Sequence, residues 1–140
     1  SLSSVGVEAA VDEMAHELLA GGESIRFIAR GRSMWPFVLD GDAVVVEPVR
    51  SPLVLGDIVL IPHPSLGRLH RVVALDSKGR VRIRGDALVA SDGWFEPIEL
   101  AGRLTKIHRG RREFTPITGP VPVVLSKILG LARRTVSLLK

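Results

Sequence analysis

Short runs of β-branched and other apolar residues, separated by turn-forming residues, are the feature that most restricts how this chain folds. Val, Ile and Leu dominate the runs, and Pro, Gly, Asp and Ser dominate the segments between them. Runs of this kind favour strands, and short connections between them favour antiparallel pairing. The predicted strands cover residues 24–29, 44–46, 58–61, 69–75, 81–83 and 100–107. The sequence therefore predicts a mainly β domain whose antiparallel sheet is coiled into a half-open barrel.

Apolar residues at helical spacing mark both ends of the chain. Near the start they are Val7, Ala10, Val11, Met14, Leu18 and Leu19, and the pattern ends at Gly21-Gly22. After Pro120 and Pro122, a second stripe consists of Val124, Leu125, Ile128, Leu129, Ala132, Val136 and Leu139. These patterns predict an N-terminal helix (1–22), a β domain (23–116) and a C-terminal basic amphipathic helix (117–140).

The C-terminal stripe has more than one interpretation. It can pack on the sheet, pack against a second copy of the chain, or lie on an anionic membrane surface. The net charge of +4 favours anionic partners. No run approaches the roughly 20 consecutive apolar residues of a spanning helix, so we expect a cytoplasmic or peripheral membrane protein.

Composition also bears on partners and cofactors. Aromatic residues make up only 4% of the chain and Tyr is absent, so we expect no nucleic-acid binding by base stacking. Cysteine is absent too, which excludes thiolate nucleophiles and cysteine-ligated metal sites. We expect neither a metal nor another cofactor.

Ser33 is a candidate nucleophile because of its neighbours in Gly31-Arg32-Ser33-Met34-Trp35-Pro36. Glycine allows close backbone approach and proline fixes its own φ, so the serine hydroxyl is presented on a defined backbone. The segment is not the Gly-x-Ser-x-Gly elbow of α/β-hydrolases, because Trp35 stands at the position of the second glycine of that motif. On this pattern alone, an ordinary turn serine remains the alternative.

A nucleophilic serine needs a base within hydrogen-bonding reach. His70 lies inside the predicted strand 69–75, where its imidazole would be held rigidly, although a structural histidine fits the same pattern. The lysines lie in turn, charged or helical segments that do not desolvate an ammonium group. Asp86 and Asp92, the latter in a Ser-Asp-Gly turn, can each orient a histidine or cap a turn.

Several short motifs follow one another in a set order. They are Ser33-Met34 with Pro36, Gly41-Asp42, Gly56-Asp57-Ile58-Val59, His70-Arg71-Val72-Val73, and Gly85-Asp86 with Asp92. Together they resemble the conserved boxes of type I signal peptidases and of the self-cleaving SOS-repressor peptidases, over roughly residues 25–107. Because His70 stands where the bacterial enzymes have lysine, the chain resembles the archaeal and endoplasmic-reticulum branch, which uses Ser and His.

The resemblance implies a signal-peptidase-type barrel and a role for each matching residue. Ser33 would be the nucleophile and its backbone N–H the oxyanion donor, His70 the general base, and Asp92 the residue that orients His70. Asp86 would be structural or a second orienting carboxylate. The implied substrate-binding residues are Met34, Trp35 and Pro36.

The implied function is a serine endopeptidase that cleaves precursor or leader peptides after small residues. Two positions depart from the family: Gly31 stands where many members have a serine donor, and Ala87 where they generally have Asn. These departures leave open a catalytically inactive peptide-binding or scaffold module of the same fold. A basic interaction domain with an incidental resemblance is a third hypothesis.

Overall fold

The computed structural model describes residues 14–62 and 68–139. Helix α1 is described over residues 14–20, and helix α2 covers Pro120–Leu139. One 3₁₀ turn covers Pro97–Glu99. The strands are β1 (Ile25–Ile28), β2 (Ala43–Glu47), β3 (Ile58–Ile61), β4 (Arg68–Leu75), β5 (Val81–Arg84), β6 (Ser91–Phe95), β7 (Gly102–Arg109) and β8 (Arg112–Phe114).

The strands form one antiparallel sheet in the order β1-β2-β7-β3-β4-β5-β6, with β8 paired to β7. The sheet does not close: among the described residues, β1 pairs only with β2, and β6 pairs only with β5. The prediction of a mainly β, antiparallel fold is confirmed. The open ends of the sheet leave the β1 backbone free for pairing along one side.

Strand β3 lies between the two halves of the core. Ile58 and Leu60 pack in one hydrophobic cluster, and Val59 and Ile61 pack in the other. All four side chains are buried, because one hydrophobic cluster covers each face of this strand. A strand covered on both faces has a continuous apolar sequence, which made β3 easy to predict.

Strands β6 and β8 were not predicted. The Ser-Asp-Gly segment, expected to be a turn, lies in β6, and Arg112–Phe114, left outside the predicted strands, forms β8. Both predictions were wrong for the same physical reason. A short strand that is exposed on one side needs few apolar residues, so its sequence resembles that of a loop.

Helix α1 attaches to the sheet through Leu19, which is buried in the first cluster. The helix ends as predicted at Gly21-Gly22, where the Gly21 N–H donates to the Glu17 carbonyl and the Gly22 N–H to the Leu19 carbonyl. The earlier part of the predicted helix, up to residue 13, lies outside the described residues.

Helix α2 docks through its small residues and not through its apolar stripe. Pro122 and Ser126 are buried, and a methyl group on Gly130 would lie 3.0 Å from the Leu88 carbonyl oxygen. These residues recur every four positions and so share one face. Val124, Leu125 and Ile128 of the predicted stripe are exposed, so of the alternatives left open for the stripe, packing on the sheet does not apply to these three residues. Neither described helix has the length and apolar content needed to cross a bilayer.

Candidate active site

His70 and Asp92 form the centre of the site. His70 is fully buried, and its Nδ1 lies 2.5 Å from Oδ2 of Asp92. The two residues lie on β4 and β6, which are separated by β5 and therefore by about 10 Å in the plane of the sheet. Their side chains meet beyond the last residue of β5, where Gly85 carries no side chain to block them.

A β-bulge directs Asp92 toward His70. Ile83 of β5 pairs with Gly93, and Arg84 pairs with Ser91, so Asp92 is the extra residue on β6. A bulge bends its strand and turns the side chain of the extra residue away from the regular alternation. The position of Asp92 is therefore fixed by strand pairing.

Burial sets the charge state of His70. It lowers the pKa of the imidazole, the Asp92 carboxylate acts in the opposite direction, and the Arg68 guanidinium, 3.6 Å from Asp92 Oδ1, lowers it again. The ring is consequently neutral at neutral pH. A neutral imidazole next to a carboxylate donates its Nδ1–H to that carboxylate, and its Nε2 lone pair is left as an acceptor.

The Nε2 atom has no hydrogen-bond partner among the described residues, although it is buried. Leaving a buried polar atom unpaired costs about 1–3 kcal/mol, so the unpaired Nε2 lowers the stability of the folded protein. The Ser33 hydroxyl does not bond to it in this structure. An unpaired basic nitrogen is able to accept a proton from a hydroxyl group that turns toward it.

The backbone of Ser33 lies beside this nitrogen. A methyl group on Gly85 would lie 2.9 Å from His70 Nε2 and 2.9 Å from the Ser33 carbonyl oxygen. Those two atoms are therefore no more than twice that distance apart. The structure thus brings together Ser33, His70 and Asp92, which the sequence places on three separate segments.

Two hydrogen bonds hold the Ser33 turn against the segment that follows β5. The Ala87 N–H donates to the Ser33 carbonyl oxygen over 2.8 Å, and the Asp86 N–H donates to Met34 Sδ over 3.4 Å. Met34 is buried in the first core cluster. The turn that carries the candidate nucleophile is therefore anchored on both sides.

Asp86 is paired with Arg71 and not with His70. Arg71 Nε and Nη2 donate to the two Asp86 oxygens at 2.8 Å each, and both side chains are fully buried. Burial raises the pKa of Asp86, and the guanidinium opposes that change. Arg71 also donates to the carbonyl oxygens of Gly56 and Ile117. Of the two roles expected for Asp86, its contacts fit the structural one.

The backbone around Ser33 leaves N–H groups for a developing oxyanion. Among the described residues, the N–H groups of Ser33 and Met34 have no hydrogen-bond partner. The Gly31 N–H is occupied, because it donates to Asp40 Oδ1 over 2.8 Å. Position 31 thus supplies neither a hydroxyl nor its own N–H, whereas the Ser33 N–H is unpaired among the described residues.

A groove of about 250 Å³ opens beside Ser33. It is lined by residues 27–31, by Ser33, Met34, Val38 and Leu39, and by Arg68 and Leu69 of β4. Of the three residues expected to bind substrate, only Met34 lines it. Trp35 is exposed elsewhere, and Pro36 lines a smaller cavity next to Arg71.

The free edge of β1 borders this groove. Ala29 exchanges hydrogen bonds with the β2 side, since its N–H donates to the Asp42 carbonyl and its own carbonyl accepts from Gly41. Backbone groups alternate in direction along an antiparallel strand. The N–H and C=O groups of Arg26 and Ile28 therefore point away from β2, toward the open side.

The polar side chains of the site are not arranged as a metal-ligand set. Within residues 14–62 and 68–139, no group of three or more His, Asp or Glu side chains is placed to hold a metal ion. The Nδ1 of His70 and both oxygens of Asp86 are occupied by their protein partners. What remains open is a single basic nitrogen beside a serine.

Sequence reasoning missed the roles of Arg71 and Gly85. Arg71 had a detectable signal, because a charge inside an apolar strand requires an opposite charge nearby, and Asp86 follows shortly after the next predicted strand. The sequence gives no signal for the role of Gly85 other than its position before Asp86. Its function is to leave space, which only the packed structure reveals.

No protein-family model, curated protein or solved structure matches this chain. The resemblance to signal peptidases therefore rests on the short motifs, and the interpretation of the site rests on its own geometry.

Proposed function

We propose that the chain is a serine endopeptidase of signal-peptidase type that uses Ser33, His70 and Asp92. The observation that supports this most directly is the state of His70. Its Nδ1 is oriented by Asp92, whereas its Nε2 is buried, unpaired and next to the Ser33 backbone. That arrangement suits a general base poised for a hydroxyl group.

In the proposed reaction, the Ser33 hydroxyl rotates toward Nε2 and gives up its proton as its oxygen attacks the scissile carbonyl carbon. The C–N bond then breaks, and the imidazolium returns the proton to the leaving amine. An ester on Ser33 remains. Water attacks the ester carbon as it passes a proton to Nε2, the C–O bond to Ser33 breaks to release the acid, and Nε2 returns the proton to the Ser33 oxygen. Asp92 holds the ring and stabilises its charged form throughout.

The backbone N–H of Ser33 would donate to the tetrahedral oxyanion. One well-placed donor of this kind contributes about 3–4 kcal/mol to transition-state stabilisation. Since Gly31 offers no donor, we expect slower acylation than in relatives that carry a serine at that position. The free N–H of Met34 is a second backbone donor in the same turn.

The substrate would bind as an extended strand along β1. The free backbone groups of Arg26 and Ile28 provide the pairing surface, and the groove next to Ser33 receives the side chains near the scissile bond. A groove of about 250 Å³ is small for a ligand site, which agrees with cleavage after small residues. The proposed substrates are accordingly precursor or leader peptides.

A second candidate function is a peptide-binding or scaffold module without catalysis. The lack of a hydrogen bond between Ser33 and His70, together with the occupied N–H of Gly31, favours it. In that case the β1 edge binds peptide, but Ser33 is not acylated.

Labelling with a fluorophosphonate probe separates the two functions. We expect the wild-type protein to be phosphonylated at Ser33, as located by peptide mass spectrometry. Ser33→Ala should abolish labelling, and His70→Gln should slow it strongly. Ser24→Ala, at an exposed serine just before β1, is the matched control and should label normally. Folded wild-type protein that stays unlabelled while binding extended peptides would support the second function instead.

A further inference from the structure

Helix α2 exposes a continuous apolar stripe on the side that faces away from the sheet. Its residues are Val121, Val124, Leu125, Ile128 and Leu131, which are 71%, 59%, 42%, 59% and 47% exposed. Their spacing of three and four residues places them on one face of the helix. Large aliphatic side chains left this open to water indicate a surface that contacts another phase or molecule.

The exposure of the stripe does not result from a loosely attached helix. Ser126 Oγ accepts a hydrogen bond from Arg84 Nη2 over 2.9 Å, and Gly130 packs closely on the Leu88 carbonyl. Leu88 and Val89, beside this contact, are themselves exposed. The opposite face of α2 is thus fixed to the protein, and the stripe is held outward.

The charges of this segment are all positive. After Glu113 the sequence contains no Asp or Glu, and its basic residues are Lys127, Arg133, Arg134 and Lys140. An apolar stripe on a helix with basic residues and no acidic ones is typical of helices that lie on anionic lipid.

The same charges argue against a second copy of the chain as the occupant. Two α2 helices placed stripe to stripe would have no carboxylate in either helix to pair with the basic residues of this segment. Like charges in that arrangement repel. A lipid surface with anionic headgroups matches both the apolar stripe and the positive charge.

We propose that α2 lies in the interfacial region of an anionic membrane, with the stripe turned toward the acyl chains. This proposal does not depend on the peptidase reaction. The docked face of α2 also supports the candidate site, because Gly130 approaches the carbonyl oxygen of Asp86. A membrane-bound α2 would therefore hold Ser33 close to precursors attached to the same membrane.

The test is binding of the full chain to vesicles of phosphatidylcholine mixed with phosphatidylglycerol, compared with vesicles of phosphatidylcholine alone. We expect binding to the anionic vesicles that weakens as salt is added. The double variant Val124→Ser, Ile128→Ser should weaken partitioning about tenfold or more, because two aliphatic side chains no longer enter the lipid. Ile98→Ser, at an exposed isoleucine outside α2, is the matched control and should bind normally.

A second measurement reports the depth of the helix. Because the chain has no cysteine, Ile128→Cys provides a single attachment point for a polarity-sensitive fluorophore. Its emission should shift to the blue with anionic vesicles, whereas the same dye on Ile98→Cys should not respond. Absence of wild-type binding, or equal binding by the double variant, would overturn the proposal. A dimer that dissociates in the double variant and binds no vesicles would show that a second copy is the occupant.

Discussion

Gly85 separates the His70 imidazole from the Ser33 carbonyl group, and Gly85→Ala tests whether that spacing matters for reactivity. The added methyl group would lie 2.9 Å from each of the two atoms and 2.9 Å from Leu88 Cδ1. Ordinary contacts of a methyl carbon are about 3.5–4.0 Å, so each neighbour must move by about 0.5–1 Å. Leu88 can change its rotamer, but the imidazole and the Ser33 backbone are held by their hydrogen bonds.

A displacement of about 1 Å between reacting groups can reduce a rate about a hundredfold. We therefore expect Gly85→Ala to slow phosphonylation of Ser33 about 10- to 100-fold. Overpacking of this size destabilises a protein by about 1–3 kcal/mol, which leaves a typical domain folded. Thermal denaturation followed by circular dichroism measures that part of the effect separately.

The matched control is Gly21→Ala, because a methyl group there would lie 3.4 Å from its nearest neighbour, the Glu17 carbonyl oxygen, which is ordinary contact. It should label at the wild-type rate. Labelling of folded Gly85→Ala at the wild-type rate would contradict the assignment of His70 Nε2 as the base for Ser33. Loss of labelling in step with loss of folded protein would show only a structural effect.

Further predictions concern the orienting carboxylate, the buried ion pair and the groove. In the wild type, the rate of Ser33 acylation should fall as pH decreases through a His70 pKa below about 6.5, because burial depresses that pKa and only the neutral ring acts as a base. Asp92→Asn removes the charge that raises this pKa, so the pH–rate profile should shift further toward acid, while the rate falls about a thousandfold or more through loss of ring orientation. Arg71→Met leaves Asp86 buried without its partner and should lower the free energy of unfolding by about 3–5 kcal/mol, whereas replacing both residues with apolar ones should restore much of it, as measured by urea denaturation. Among the described residues, the groove is lined by basic residues such as Arg30 and by no carboxylate, so peptides with Asp or Glu near the scissile bond should have a lower KM than neutral ones, and Arg30→Glu should reverse that preference.

The candidate site residues Ser33 and His70 were predicted from their immediate neighbours in the sequence. His70 was identified because it interrupts an apolar strand, and Ser33 because glycine and proline surround it. Asp92 was assigned by resemblance, but its segment was predicted as a turn. The orientation of Asp92 comes from the β-bulge in the pairing of β5 with β6. The register of a strand pair depends on both strands, so it cannot be read from the sequence of either strand alone.

Helix α2 shows what hydrophobic spacing cannot predict about a helix. Three residues of the stripe predicted from spacing, Val124, Leu125 and Ile128, are exposed together on one side of the helix, but the side on which the helix docks was not predicted. Pro122, Ser126 and Gly130 allow close backbone approach to the segment after β5, and the Arg84 bond to Ser126 adds a polar contact there. Hydrophobic periodicity identifies an apolar face without indicating whether protein, lipid or water covers it.

Arg71 and His70 are both fully buried but differ in how their nitrogen atoms are paired. Arg71 serves the fold, and its guanidinium reaches Asp86 and two backbone carbonyl groups. The other buried unpaired nitrogen among the described residues, Arg103 Nε, belongs to a guanidinium that bonds Ser51 through its remaining nitrogens. His70 has only two nitrogens, and one of them is left without a partner at a cost of about 1–3 kcal/mol. A purely structural histidine gains nothing from that arrangement, whereas a general base requires it.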